Sequence, residues 1–196
     1  MIYRLLLLVI FIGLINIAEA IGQKSSEAYH LTAAQDTLIS QIAKDGTVKN
    51  QYVSRIAFTP QQYIRFDSLL RISSLEDMMS LANHPSAAIR IYVFRFLLDN
   101  KDWERALQVL QMNYKDETAF YHLFGCMGGV HTVGYFMGIN LKLRLRKEST
   151  VLDSKSQKIF ESILARLPDD SKEKRITTRQ MKKVMTQADK VDGILN

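Results

Sequence analysis

Apolar positions recur every three or four residues through most of this chain, the spacing of helices that bury one stripe. Leu31, Ala34, Leu38 and Ile42 form the first stripe, in a helix opened by the polar run 24–30 and stopped at Gly46. Thr59-Pro60-Gln61-Gln62 predicts a second start: Thr59 caps, Pro60 takes the first helical position and Gln62 completes a capping box. Tyr63, Phe66, Leu69 and Leu70 supply its inward face. Ser73-Ser74-Leu75-Glu76 repeats that logic and opens a short helix through Met78, Met79 and Leu81. Asn83-His84-Pro85-Ser86 turns the chain into a longer helix from about Ser86 to Leu98. Another follows from Asn100–Asp102, with Trp103, Ala106, Leu107 and Leu110 on one side. Later, Ser154–Leu167 reads as a helix ended by Pro168, and residues 169–176 as a polar linker. Thr177-x-x-Gln180 caps a last helix, striped by Met181, Val184, Met185, Ala188 and Val191.

Three stretches break the period. Residues 47–58 hold Tyr52, Val53, Ile56 and Phe58 without regular spacing and read as a connector. Residues 114–138 hold five of the nine glycines, interleaved with Tyr114, Phe120, Tyr121, Phe124, Tyr135 and Phe136. Glycine costs about 1 kcal/mol inside a helix relative to alanine, so short helices broken around Gly128-Gly129 are expected, with aromatic rings packed over bare backbone. Residues 141–146 alternate Leu-Lys-Leu-Arg-Leu-Arg, a strand-like pattern that also suits a helix wetted on most sides.

The N-terminus has a different pattern. Arg4 precedes an apolar run from Leu5 to Ile17, and Ala18-Glu19-Ala20 closes it with small residues. Charge, apolar stretch and small-residue exit describe a secretory signal peptide cleaved after Ala20, leaving one domain over 21–196. The run is too short for the ~20 residues that a spanning helix needs. The expected location is exported, periplasmic or extracellular. The chain has no Asn-x-Ser/Thr sequon and one cysteine, so it must fold without a disulfide of its own.

Leu75-x-x-Met78-x-x-Leu81-Ala82-x-His84-Pro85-x-x-x-Ile89-Arg90-x-Tyr92-x-Phe94-x-x-Leu97 resembles a HEAT repeat, a helical hairpin with a polar turn and a hydrophobic–Arg pair opening the second helix. With the signal peptide, the chain is similar to small exported HEAT-like bacterial proteins. The resemblance covers a unit at about 73–113. It implies an all-α fold, an irregular right-handed array of helical hairpins of the HEAT/armadillo superhelix type. It also implies a scaffold that binds protein and performs no chemistry. Tyr92 and Phe94 depart from it, crowding positions that usually hold smaller residues.

Composition changes the picture at one end only. The chain of 196 residues carries 26 Lys+Arg against 20 Asp+Glu, and the whole +6 lies in residues 141–196. Lys142, Arg144, Arg146, Lys182 and Lys183 are therefore the candidate partner surface, for an acidic protein or an anionic membrane. Nucleic acid is not expected, because aromatics for base stacking are nearly absent after Phe136. No phosphate loop, Ser-His-Asp arrangement or cofactor motif occurs, so no catalytic residue, metal or cofactor is assigned. The one compact ligand-type group is His122-x3-Cys126-x4-His131, with His84 or Asp116 as a distant fourth. It carries the alternative reading, a metal-binding protein or hydrolase centred on residues 116–131, against a buried Cys126 beside two surface histidines.

Overall fold

The computed structural model describes residues 31–192, with side chains through Thr186. The expected signal peptide and the polar run 24–30 lie outside the described residues.

The chain is not all-α. Eight α-helices among the described residues surround a three-stranded sheet, which overturns the helical-hairpin superhelix. Helix α1 (Ala33–Asp45) leads into strand β1 (Val48–Val53). Then come α2 (Gln61–Ile72), α3 (Leu75–Ser80) with a 3-10 turn at Leu81–Asn83, α4 (Ala87–Asp99) and α5 (Trp103–Asn113). Strands β2 (Ala119–Gly125) and β3 (Met127–Thr132) form a hairpin, followed by α6 (Val133–Lys147), α7 (Ser154–Leu164) and α8 (Asp170–Asp192). The sheet order is β1-β2-β3, with β1 parallel to β2 and β2 antiparallel to β3.

Helix α4 is the hub. Ala88, Ile89, Ile91, Tyr92, Val93, Phe94 and Leu97 are all buried, so this helix is apolar around its circumference and touches α1, α5, α6, β1 and β2. Ile89 is 1% exposed. Arg90 beside it donates to the carbonyls of His84 and Pro85 and pairs with Asp116, tying the turn before α4 to the chain leading into β2. Tyr92 stacks on Phe66 of α2, and its hydroxyl both accepts from the Lys49 amide at 2.8 Å and donates to the Lys49 carbonyl at 3.1 Å.

Several caps differ from expectation. The box that opens α1 is Thr32 with Gln35, and the one that opens α3 is Ser74 with Asp77, one residue beyond the expected pair. Gln62 completes no box. It is buried and donates to the carbonyls of Ile42 (3.1 Å) and Thr47 (2.8 Å), closing the end of α1 around the left-handed Gly46. Residues 170–176 are helical and not a linker, and Thr177 lies buried inside α8. The Leu-Lys alternation of 141–146 is helix α6, with Leu141 and Leu145 inward at a spacing of four and Leu143 exposed.

Candidate binding surface

The hairpin turns on Gly125-Cys126. Phe124 and Met127 face each other across it, and Gly125 adopts a φ of 61°, which glycine takes without steric cost. A two-residue turn with glycine first matches the right-handed twist of its strands. Pairing by twos then sorts the side chains: Phe120, His122, Phe124 and His131 share one face of the hairpin, and Tyr121, Leu123, Val130 and Thr132 the other. The first face meets Phe136 of α6 and Arg95 of α4. Helix α8 packs against both strands of the hairpin, and its Glu173 accepts from the Thr132 amide (2.7 Å) and hydroxyl (2.8 Å).

The first face holds a continuous stack of rings. The Arg95 guanidinium lies 4.3 Å over Phe124. Phe124 stacks on His122 at 4.5 Å, His122 on His131 at 5.2 Å, and His131 on Tyr135 at 5.7 Å. Gly129 makes the stack possible: a Cβ there would sit 3.0 Å from the His122 Nε2. Neither ring nitrogen of His122 has a hydrogen-bond partner. Burial, and then the charges of His131 and Arg95, hold its pKa down at about 4.

This geometry does not suit a metal. The His122 and His131 rings lie within 7° of parallel, so their in-plane lone pairs run side by side instead of converging on one ion. Cys126 is exposed at the hairpin turn while His122 is packed within the stack, the reverse of a buried cysteine between surface histidines. His84 Nδ1 accepts from the Ser86 amide, and Asp116 is engaged by Arg90, so the distant ligands have other roles. Among the described residues no three His, Cys, Asp or Glu side chains cluster as a metal site.

The basic residues do not form one patch. Lys142, Arg144 and Arg146 ride on α6, which packs against α4 and α5, and Arg144 is bound to Asp99 at 2.7 Å. Lys182 and Lys183 lie on α8, beside the sheet. The outer face of α8 is cationic on its own. Lys172, Lys174, Arg175, Arg179, Lys182 and Lys183 are exposed there, and Glu173, the acid among them, is turned inward to Thr132.

What the sequence reading did not single out is the loop end of the sheet. Strand β1 runs into the loop Ser54–Ala57, closed by the Val53–Phe58 bridge. Ser54 and Ala57 both take left-handed φ values, 62° and 53°, a conformation that costs a non-glycine residue about 1–2 kcal/mol. The Ser54 amide donates to the Gly125 carbonyl at 2.9 Å, fastening this loop to the hairpin turn. Large apolar side chains face solvent around this end of the sheet: Ile56 (83% exposed) in the loop, Phe58 (40%) just after it, Tyr52 (56%) near the end of β1 and Met127 (75%) at the start of β3. Single exposed apolar residues are ordinary; four within a few residues of two tethered turns are a concentration. The only signal in the sequence was the aperiodic apolar content of residues 47–58.

The sheet also has two unlike edges. At β1 the Lys49 amide and carbonyl point away from β2 and are closed by the Tyr92 hydroxyl. At β3 the Thr132 amide points away from β2, to Glu173. Backbone groups alternate in an antiparallel ladder, so Val130 and Gly128 also point outward, and nothing among the described residues bonds to them.

No family model, curated protein or solved structure matches this chain.

Proposed function

We propose that this is an exported, non-catalytic protein that binds another protein through the loop end of its sheet. The observation that carries the reading is the exposure of Tyr52, Ile56, Phe58 and Met127 beside two turns held together by the Ser54–Gly125 bond. The tether bonds at Ser54, which takes the left-handed conformation, as Lys101 and Ser149 do elsewhere in the fold. Export is supported by the charged, apolar and small-residue pattern of the first twenty positions. Mass spectrometry of the exported form should give a chain beginning at Ile21; a mass that includes Met1–Ala20 would make it a membrane-anchored protein instead.

Site-specific photocrosslinking in the source cell tests the surface. A crosslinker replacing Ile56 or Met127 is expected to give one discrete protein adduct, and one replacing the exposed Leu143 on α6 to give none. Equal adducts at all three positions would sink the reading.

A second reading is favoured by the outer face of α8, whose cations have no acid paired to them among the described residues: attraction to an anionic membrane. Sedimentation with phosphatidylglycerol vesicles, reduced in Lys182→Glu/Lys183→Glu, would support it. No helix among the described residues is long and apolar enough to cross a membrane.

A further inference from the structure

We infer that the free edge of β3 is a strand-docking site, at which an extended acidic segment of the partner protein joins the sheet as a fourth strand. This rests on the reading above that the chain binds another protein, and names the form that partner takes.

The argument begins with the backbone. Val130 and Gly128 each turn an N–H and a C=O outward, spaced two residues apart, with no partner among the described residues. Groups at that spacing and direction are met by one kind of ligand, another extended backbone. Edge strands that are not meant to pair are kept very short, blunted by lysine or proline, or covered by a helix or loop; here α8 takes the outward amide of Thr132, and those of Val130 and Gly128 remain. Strand β3, Met-Gly-Gly-Val-His-Thr, has no lysine and no proline, and Gly128 is exposed and has no side chain of its own, with the Tyr121 ring lying over one face of its backbone. On the opposite edge of the sheet the outward groups of Lys49 are taken by the hydroxyl of Tyr92.

Charge selects the occupant. At the Thr132 end of β3 lies a hollow of about 170 Å³ to which Lys115, Arg166 and Lys172 contribute. Its acids are Asp116 and Glu117, and Asp116 is already paired with Arg90. A net positive charge therefore remains for a carboxylate on the docked strand. A second copy of β3 brings no acidic side chain to this place, since Met127–Thr132 contains none.

The test uses the mature full-length chain and a short fluorescent peptide of alternating Val and Glu. Binding is expected, and it should weaken about tenfold in Val130→Pro, which deletes an outward amide without touching the ladder to β2. Lys172→Glu should weaken it similarly. The Val-Lys counterpart should not bind, and neither should a Val-Glu peptide N-methylated on alternate residues. The peptide controls need no variant, so a misfolded Val130→Pro leaves the test standing. Failure of the Val-Glu peptide to bind, or equal binding of its N-methylated form, overturns the proposal. So does a dimer, seen by ultracentrifugation without peptide and lost in Val130→Pro, because a second copy then occupies the edge. Crosslinking at Ile56 and Met127 reads the loop-end surface separately: adducts there without peptide binding would remove the strand-docking site alone.

Discussion

His122 shows how a single side chain senses its surroundings. It lies between Phe124 and His131 with both nitrogens unbonded, and burial favours the neutral ring. Its pKa is about 4 in the fold against 6.5 in the unfolded chain. The unfolded state thus takes up the proton first as pH falls. The contribution is fully present above pH 6.5 and is lost between there and about 4. Thermal midpoints should fall across that window, and His122→Phe should flatten the fall; an unchanged slope would mean that the imidazole is charged in the stack. Ile89 gives a second residue-scale prediction. Being 1% exposed, its replacement by Ala should cost about 2–5 kcal/mol in urea unfolding, against about 0.5 kcal/mol or less for Lys182→Ala on the outer face of α8. The burial of Ile89 and the bonds of Arg90 to the turn were legible in the sequence because His84 and Pro85 lie beside them in the chain; the pairing of Arg90 with Asp116, 26 residues on, was not. Cys126 was not. Phe124 and Met127 suggest burial, but a two-residue hairpin turn points its residues to water whatever their neighbours are.

Among the elements, α8 depends on one carboxylate for its attachment to β3. Burial alone would raise the pKa of Glu173. The donors of Thr132 and the His131 ring, whose Nδ1 is 3.7 Å away, outweigh burial and lower it. Its contribution is therefore present above the ordinary carboxylate pKa of 4.5 and is lost as pH falls below it. Glu173→Leu leaves the Thr132 amide and hydroxyl without acceptors, at a cost of about 1–3 kcal/mol. Amide exchange along β3 should quicken relative to α4; equal protection in variant and parent would show that packing and the Gln180 bonds to Ala119 and Glu117 hold α8 without Glu173. Most helices were legible from their period, though several caps fell elsewhere, and the strands were not, for separate reasons. Strand β1 carries Lys49, Asn50 and Gln51, and its burial follows from contacts made far along the chain. Strand β2 is nearly all apolar, which suits either element, and the glycines of β3 answer a need that arises only when His122 and Tyr121 lie over them. In α6 the alternation was true of the sequence and false of the structure, because Leu143 stays in water.

At the scale of the whole molecule, the described residues build on one apolar core that runs from Ile39 to Ile163. The loop-end patch stands apart from that core. Ile56→Ser with Met127→Ser should therefore leave the urea midpoint within about 0.5 kcal/mol of the parent while abolishing partner capture at that end. A large loss of stability would place these side chains in the core instead. Composition located the positive charge in the last quarter of the chain, but only the fold separates it into an α6 group, partly neutralised by Asp99, and an α8 face that is not. The apolar surface could not be read from the sequence, since exposure at Tyr52 and Ile56 is decided by where β1 ends relative to the hairpin.

The parallel pairing of β1 with β2 has a consequence for the order in which the molecule is made. Val48 and His122 are partners roughly seventy residues apart, and α2 to α5 lie between them. A ribosome therefore releases β1 long before the strand that holds it exists. The helices that follow β1 can form locally, but its ladder must wait for a late, long-range closure, the kind of step that slows folding. Nascent chains arrested after Asn113 should be cut by trypsin at Lys49, which is buried in the finished protein. Protection should arrive only once residues 119–132 have cleared the exit tunnel, and protection before that would mean that α1, α2 and α4 alone suffice to seat the strand.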